Sequence, residues 1–404
     1  MGRVEISEIS NAGSALAPPT KITEAPIQEL FFTPKLENTL ELRGQQPQAL
    51  EAIQRWYERP TPVFRLDGSA GVGKTTVAIK FSDFARCHYM TLSGMAAQVL
   101  QRKGCHGAST IHSAIYRFDE HSHTWEVNRE SFVADYDVLV VDESMFVYPQ
   151  LGRDILSFGV PVIAMGDPNQ LPPPNGEGSF FESFQQDYVM TEVLRQAEDS
   201  PILELAYQAL SGEPLKPGKY GDSVVYSDKV KPSVVTDAML AADQVLCGKN
   251  VTRRGVNREI REKLGLHGEQ GKELPVVGDR LICLRNNHQK GILNGEQFLV
   301  REIHNKELGE VVYMVVESVY SPGKLVDVAV PWDFFLGTED NMDFFTKKSY
   351  DQFTYGYCVT VHKSQGSQWD NVVILDESKA FREAKKNHLY TAITRAAKDV
   401  KVFL

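Results

Sequence analysis

A glycine-rich loop between a strand and a helix is the feature that most constrains the fold of this chain. The segment "GSAGVGKTT" (residues 68–76) follows the apolar run "TPVFRLDG" and precedes the helical pattern "VAIKFSDFA". The spacing G-x-x-x-x-G-K-[ST] lets backbone N–H groups surround phosphate oxygens at a helix N-terminus. We expect Lys74 to reach the β- and γ-phosphates of a nucleotide and Thr75 to bind Mg²⁺. The other residues predicted to surround the nucleotide are Gly68, Ser69, Ala70, Gly71, Val72, Gly73 and Thr76.

Polar residues follow two further apolar runs. The run "DYDVLVVDES" places Asp142 and Glu143 at the end of a buried strand, and "VPVIAMGDPNQLPP" places Gln170 after another. Phosphoryl transfer needs a carboxylate for Mg²⁺ and a group that orients or deprotonates the attacking water. Asp142 fits the first role and Glu143 the second. Gln170 has an amide that both donates and accepts hydrogen bonds, so it is a candidate for contact with the γ-phosphate.

The alternation of apolar runs with helical patterns predicts an α/β fold with parallel sheets covered on both faces. One strand-helix series occupies residues 41–194, and a second occupies residues 195–293 and 351–404. Between them, residues 294–350 contain β-like runs such as "EVVYMVVESVY" and predict a small inserted β domain. Residues 1–40 are rich in Pro, Ala, Ser and Thr with little periodicity, which is typical of a flexible extension.

Bulk composition limits the class of protein. The chain has 404 residues, enough for two to three domains, and its net charge of -10 argues against a passive nucleic-acid binder that relies on charge alone. The five cysteines are scattered without a CxxC motif, which favours reduced thiols over zinc ligands. No apolar run approaches a membrane span of about 20 residues, and "MGRVEISEIS" lacks the apolar stretch of a signal peptide. We therefore expect a cytoplasmic protein.

Several polar segments lie far from the phosphate-binding loop. They are, in order, "ASTIHSAI", "TEVLRQ", "TVHKSQG" (residues 360–366) and "YTAITRA". Together with "GSAGVGKTT", "VVDESM" and "MGDPNQLPP", this ordered set resembles the successive motifs of superfamily-one helicases of group B. The likeness is to the RecD and phage Dda type, with Pif-type helicases as near neighbours, and it covers residues 42 to 404.

The resemblance implies a particular architecture. Helicases of this family have two tandem RecA-like P-loop domains that hold ATP between them and together hold single-stranded DNA. The segment "YRFDEHSHTWEVNRESF" matches the position of the β-hairpin pin that related helicases use to split a duplex, here residues 114–133, with Trp125 as the wedge or stacking group. The inserted β domain matches the position of the SH3-like β-barrel of RecD and Dda relatives.

The resemblance also implies roles for individual residues. Gln46, or Gln45 in its place, would contact adenine, and Arg195 and Arg395 would approach the γ-phosphate from the second domain. Gln365 and Gly366 would return the "TVHKSQG" loop to the nucleotide cleft. The candidates for contact with nucleic acid are Ser93, Thr110, His112, Trp125, Thr360, His362 and Lys363. Ser93 and Met95 stand where the family has proline and lysine, so one polar contact of the family is in question.

The implied function is that of an ATP-dependent DNA helicase that uses ATP and Mg²⁺ and moves along single-stranded DNA, 5′ to 3′ as in its look-alikes. A DNA fork is the implied substrate, and a monomer is the default because the chain has no heptad repeat. The N-terminal extension is a candidate segment for binding a replication or recombination protein. Two alternatives stay open, namely a superfamily-one RNA helicase and an ATP-gated factor that grips single strands without unwinding.

Overall fold

A computed structural model describes residues 41–119, 124–172, 179–192, 200–266, 274–287, 289–304 and 310–404. The predicted flexible extension (residues 1–40) and the predicted Arg195 lie outside these ranges. Within the described ranges, no helix combines the length and the apolar character needed to span a bilayer.

The strands are numbered here in chain order. They are β1 (Val63–Gly68), β2 (Cys87–Thr91), β3 (Ser109–Thr110), β4 (Tyr116–Asp119), β5 (Thr124–Val127), β6 (Val138–Val141), β7 (Val162–Gly166), β8 (Tyr188–Met190), β9 (Gly218–Tyr220), β10 (Ser223–Tyr226), β11 (Gln244–Cys247), β12 (Arg280–Cys283), β13 (Gln297–His304), β14 (Val311–Ser318), β15 (Leu325–Pro331), β16 (Phe353–Tyr355), β17 (Cys358–Thr360), β18 (Trp369–Leu375) and β19 (Ala396–Phe403).

The α-helices of the described ranges are numbered in the same way. They are α1 (Gln46–Glu58), α2 (Lys74–Phe81), α3 (Gly94–Arg102), α4 (Ile111–Ile115), α5 (Pro149–Leu156), α6 (Pro201–Ser211), α7 (Pro232–Ala241), α8 (Asn250–Lys263), α9 (Asp333–Leu336), α10 (Phe344–Ser349) and α11 (Lys385–Ile393).

The first half of the chain forms a six-stranded sheet in the order β3-β2-β6-β7-β1-β8, with every pairing parallel. Alternate residues of β6 enter the cores on the two faces of this sheet. Val138 and Val140 pack in one hydrophobic cluster, and Leu139 and Val141 pack in the other. Because both faces are buried, the strand reads as a continuous apolar run, as a covered parallel sheet requires. Its carboxyl edge carries Asp142 and the phosphate-binding loop.

Strands β4 and β5 form a separate two-stranded antiparallel sheet in which Phe118 pairs with Trp125. This hairpin lies within the range predicted for a pin, residues 114–133. Trp125 is 51% exposed, so its side chain is not part of the protein core. The use of this hairpin to split a duplex stays a prediction.

The second half forms another six-stranded sheet, in the order β17-β11-β18-β19-β10-β9. Its pairings are parallel except for that of β9 with β10, which is antiparallel. Leu171, from the loop that follows β7 in the first half, is 2% exposed and packs in the core cluster of this second half. The two halves are therefore joined by apolar packing beside the predicted nucleotide site.

The inserted β region is a five-stranded antiparallel sheet in the order β15-β14-β13-β12-β16. It is wider than the predicted range 294–350, because β12 and β16 belong to it. A backbone hydrogen bond from Asp351 N to Ala329 O (3.0 Å) brings the segment before β16 close to β15 at the other end of the sheet. The assignment as an SH3-like barrel stays a prediction.

Candidate functional site

The loop between β1 and α2 has the backbone shape that the glycine spacing predicts. Gly71 and Gly73 have φ values of 83° and 84°, in the left-handed region that glycine adopts without strain. A Cβ atom on Gly68 would lie 2.6 Å from the carbonyl oxygen of Met190, so this position needs glycine to let two backbones approach. The loop leads directly into α2, which begins at Lys74.

Lys74 is held at the mouth of this loop. Its Nζ donates hydrogen bonds to the carbonyl oxygens of Gly68 (2.5 Å) and Ser69 (3.2 Å). Burial lowers the pKa of the Lys74 ammonium, and the nearby carboxylates of Asp167 and Asp142 oppose this shift. The Lys74 ammonium, held beside the phosphate-binding loop, is suited to binding an anionic ligand.

Asp142 and Glu143 follow β6 and face the same region. Glu143 has a φ of 54°, which is unusual for a residue with a side chain, and its N–H donates to Asp142 Oδ1 at 3.0 Å. Burial raises the pKa of the Glu143 carboxyl to about 7, while Arg395 opposes the shift. Backbone strain and a perturbed pKa at one carboxylate are typical of a functional position.

The second half supplies a cation to this carboxylate. Arg395, just past the end of α11, is buried, and its Nη1 lies 3.9 Å from Glu143 Oε1. Its guanidinium also donates to the carbonyl oxygens of Thr391 (3.2 Å) and Ser367 (3.3 Å), which fix its direction. The structure therefore brings Arg395 and Glu143 together from opposite halves, although they lie far apart in sequence.

The end of the "TVHKSQG" segment also reaches the first half. Gly366 has a φ of 75°, and a Cβ atom there would lie 2.9 Å from both Glu143 Oε2 and Ser93 Oγ. Gln365 Nε2 donates to Leu171 O at 2.6 Å. Ser93 itself caps α3 by accepting a hydrogen bond from Ala96 N (3.1 Å). Ser93 therefore lies beside Glu143, the candidate catalytic carboxylate.

Helix α11 makes direct hydrogen bonds to the loops of the first half. The Tyr390 hydroxyl accepts from Ala70 N (2.7 Å) and donates to Asp167 Oδ2 (2.7 Å). The Thr391 hydroxyl accepts from Leu171 N at 2.7 Å. Ala70, predicted to contact the nucleotide, thus uses its amide to bind Tyr390 in this conformation.

Tyr390, Thr391 and Asp167 were absent from the residues predicted for the site. Tyr390 and Thr391 open the motif "YTAITRA", so the signal for them was present in the sequence. A further contact, from the Tyr207 hydroxyl to Ala70 O (3.0 Å), comes from α6. No motif that we identified in the sequence marks Tyr207.

Two glutamines have buried polar atoms without a hydrogen-bond partner among the described residues. They are Gln170, through Oε1, and Gln46, through Nε2. Gln46 Oε1 accepts from Arg43 N (3.0 Å), which holds its amide in place at the start of α1. Gln45 is used differently, because its Oε1 accepts from Thr191 N at 2.7 Å. The unsatisfied amide of Gln46 fits a ligand with hydrogen-bonding edges, such as adenine.

The segment "STIHS" has a structural role at the start of α4. The Thr110 side chain is buried and caps the helix by accepting from Ser113 N at 3.1 Å. The His112 ring lies 5.5 Å from that of Tyr116, at the base of the β4-β5 hairpin. Thr110 is therefore committed to the helix cap, and His112 is the more accessible of the two candidates.

The front of the "TVHKSQG" segment is a short 3-10 turn, Val361–Ser364, capped by Thr360. The His362 ring lies 5.7 Å from the Phe381 ring, which in turn stacks on the buried His388 at 4.0 Å. Burial lowers the pKa of His362, so neutral imidazole is favoured there.

Lys363 faces a groove of about 340 Å³ between the second half and the inserted sheet. The same groove is lined by Arg253 of α8, Asn294 and Lys347 of α10. Cations and amides along an open groove are suited to a phosphate backbone and to base edges. The "TVHKSQG" segment therefore reaches two places, because Lys363 lines this groove and Gly366 lies against Glu143.

Two known families match separate parts of the chain. The AAA domain matches residues 42–222, and the UvrD-like helicase C-terminal domain matches residues 355–402. The first range contains the phosphate-binding loop and both carboxylates, and the second contains the "TVHKSQG" segment and Arg395. The two ranges therefore coincide with the two halves of the site.

Curated relatives match across most of this chain. The ATP-dependent RecD2 DNA helicase of Deinococcus radiodurans is 24% identical over 361 residues, which cover 82% of this chain and 45% of that protein. The conjugal transfer protein TraA of Rhizobium radiobacter is 25% identical over 418 residues, covering 89% of this chain and 34% of that protein. The chain thus spans less than half the length of these relatives.

A solved structure has the same fold. The crystal structure of Bacteroides Pif1 bound to ssDNA matches with a TM-score of 0.52 and 16% identity, over 90% of this chain and 92% of the other. This likeness supports two tandem RecA-like domains, as the two parallel sheets indicate. The ordered motifs, the two family matches and these relatives support a superfamily-one helicase that is similar to the RecD and Pif-like group.

Proposed function

We propose that this chain is an ATP-dependent DNA helicase that moves along single-stranded DNA from 5′ to 3′ and couples ATP hydrolysis to duplex unwinding. The named relatives include a DNA helicase, and a structural neighbour was solved with single-stranded DNA. Because a fold hosts many functions, the proposal depends on the site rather than on this likeness alone.

One observation carries the proposal. The "TVHKSQG" loop approaches Glu143 through Gly366, and its Lys363 lines the groove beside the inserted sheet. A nucleotide switch needs only the contact between Gly366 and Glu143. A motor also needs its ATP site to respond to the DNA strand that the protein holds. A short rigid turn that joins the two sites provides a direct physical route for that response.

The nucleotide site has a group for each task of hydrolysis. In this proposal Gln46 contacts adenine, and Lys74 and the loop amides bind the phosphates. Thr75 and Asp142 are the oxygen ligands for Mg²⁺, which when bound supplies charge that neutralises phosphate oxygens. Glu143 orients or deprotonates water, Gln170 contacts the γ-phosphate, and Arg395 stabilises charge from the second half. The predicted second arginine, Arg195, has the same role in this scheme.

The proposed path for DNA crosses both halves. On the second half it passes His362 and Lys363, with Thr360 capping the turn that carries them. On the first half it passes His112, with Thr110 and Ser93 capping the helices beside it. Trp125, which is 51% exposed on the β4-β5 hairpin, has the role of wedge or stacking group in this proposal. We propose a monomer bound at a fork, with residues 1–40 as a candidate segment for binding a partner.

Two assays test the proposal against its alternatives. ATP hydrolysis should be stimulated more by poly-dT than by poly-U, since the reverse result would favour an RNA helicase. Unwinding should proceed on a duplex with a 5′ tail, and activity on a 3′-tailed duplex alone would contradict the direction. Strong stimulation by poly-dT without any strand separation would favour an ATP-gated binding factor instead.

A further inference from the structure

Helix α10, on the inserted β region, presents two neighbouring aromatic side chains to solvent. Phe344 is 70% exposed and Phe345 is 80% exposed, and they are the two most exposed large apolar side chains of the described residues. No residue of α10 is buried. Large aromatic residues normally bury most of their surface, so a pair left outside marks an interaction site.

The backbone under this pair is held in place. The Asp343 carboxylate caps α10 by accepting from Phe345 N and Thr346 N, both at 3.0 Å. At the other end, Gln352 Nε2 donates to Lys347 O at 2.9 Å. Because these bonds fix the helix at both ends, binding at the two rings requires little additional ordering of the chain.

One face of α10 connects Phe344 to the groove. Phe344, Lys347 and Lys348 are spaced three and four residues apart, so they share a helix face. Lys348 Nζ lies 5.9 Å from the centre of the Phe344 ring, and Lys347 lines the groove that also contains Lys363. A strand that lies in the groove and passes Lys347 would therefore meet Phe344 next.

The charges at this end of the groove favour bases over phosphates. Glu339 and Asp340 also line the groove, and the Asp340 carboxylate lies 3.9 Å from Lys347 Nζ. These carboxylates repel a phosphate backbone and already neutralise part of the lysine charge. Phenyl rings bind the faces of bases without regard to sequence.

We propose that Phe344 and Phe345 form a base-stacking platform that extends the single-stranded DNA site beyond the groove. The inference depends on the proposed function, since it assumes that the groove holds single-stranded DNA. It adds a site on the inserted β region whose ligand is the unpaired bases, rather than the phosphates, of that strand.

The test compares the unmodified protein with a Phe344→Ala/Phe345→Ala double variant by fluorescence anisotropy on oligo-dT of increasing length, from about 6 to about 20 nucleotides. The double variant should bind short oligonucleotides as the unmodified protein does. For the longest ones its affinity should fall by about 10-fold, because the bases no longer stack on the two rings. Leu325→Ala is the control, since Leu325 on β15 is another exposed apolar side chain of the inserted β region, at 59% exposure.

Salt dependence separates stacking from charge. Removal of the two rings should leave the slope of log affinity against log salt unchanged, whereas Lys363→Ala should make it shallower by about 0.7 for each phosphate that the lysine binds. A 2-aminopurine base placed along the oligonucleotide should be quenched at one position by the unmodified protein and not by the double variant.

Three outcomes would overturn the platform. The double variant could bind all lengths with unchanged affinity, it could lose affinity equally for short and long oligonucleotides, or it could lose salt dependence along with affinity. Unchanged DNA binding with loss of binding to a purified protein would assign the rings to protein docking instead. If the unmodified protein binds no oligonucleotide, the proposed function itself fails, which is a different result.

Discussion

At the scale of single residues, the site depends on positions that link the two halves of the chain. Gly366 lies between Ser93 and Glu143, and these two side chains leave no room for a Cβ atom there. Its backbone is also in the left-handed region that favours glycine. Glu143 is itself strained and lies, partly buried, beside Arg395. Such strain persists only where the surrounding contacts impose it, and it is typical of functional positions.

Gly366→Ala tests this close approach. We expect ATP turnover to fall by at least about 10-fold, because the methyl group displaces Glu143 or Ser93 and small misplacements at a reacting centre are costly. The matched control is Gly323→Ala, with a similar φ of 87° and no atom within 4 Å of the added Cβ. Both variants should lose about 1 kcal/mol of stability from backbone strain. Equal ATP turnover in the two variants would show that the contact with Glu143 is unimportant.

His388 predicts a pH dependence of stability. It is buried with both ring nitrogens unpartnered among the described residues, and burial lowers its pKa to about 4, with His362 adding to the shift and Asp376 and Glu377 opposing it. The unfolded chain, with a histidine pKa of about 6.5, therefore binds the proton more readily. Stability from neutral His388 is complete above about pH 6.5 and is lost as the pH falls towards 4.

The measurement is the free energy of unfolding in urea at pH 7.5 and pH 5, for the unmodified protein and for His388→Gln. Between these conditions the unmodified protein should lose about 2 kcal/mol more than the variant, because only it can protonate at this position. His88, which is also buried with its pKa lowered to about 4, is present in both proteins and cancels. Parallel losses would mean that His388 is hydrated or already paired.

At the scale of elements, helix α11 joins the two halves of the chain. It carries Tyr390 and Thr391, which hydrogen-bond the loops after β1 and β7, and it ends just before Arg395. Every residue from His388 to Ile393 is buried. Because this part of the helix is buried, it cannot shift without changing the contacts of the phosphate-binding loop.

Tyr390→Phe removes one hydroxyl and leaves Ala70 N and Asp167 Oδ2 without that partner. We expect a loss of about 1 to 3 kcal/mol in the free energy of unfolding, since buried polar atoms become unsatisfied. Tyr207→Phe is the comparison variant, because its half-buried hydroxyl also contacts the phosphate-binding loop, where it donates to Ala70 O. It should cost less, and an equal or larger cost would contradict the assignment of Tyr390 as the main link.

The positions of the strands and of the polar residues that follow them were predictable wherever the local sequence pattern alone determines them. The apolar runs before Asp142 and Asp167 form β6 and β7, and the glycine loop lies where its spacing indicates. Strand β12 lies within residues 195–293, which were predicted for the second strand-helix series, but its partners are β13 and β16 of the inserted sheet. Strand pairing is set by long-range hydrogen bonds, so the boundary of the inserted region was not visible in the sequence.

At the scale of the whole molecule, the two halves form one site that neither contains alone. The family resemblance implies that Arg395 and Gly366 approach the nucleotide. Both lie close to Glu143 in the structure, and their contact with the nucleotide stays a prediction. The contact of Tyr207 with the phosphate loop could not be predicted, because it depends on how α6 packs against the first half. The likeness to phage Dda in particular, the direction of movement and the use of the hairpin stay predictions.

The measurement that tests the central claim most directly is unwinding of a 5′-tailed DNA duplex with ATP by the unmodified protein and by Lys74→Ala. The unmodified protein should separate the strands, and Lys74→Ala should do so at least about 100-fold more slowly while still binding single-stranded DNA, because it lacks the phosphate-directed cation. Lys80→Ala, at the other end of α2, should retain activity. A Lys74→Ala protein that unwinds the duplex at the unmodified rate would contradict the account of this chain as an ATP-driven motor.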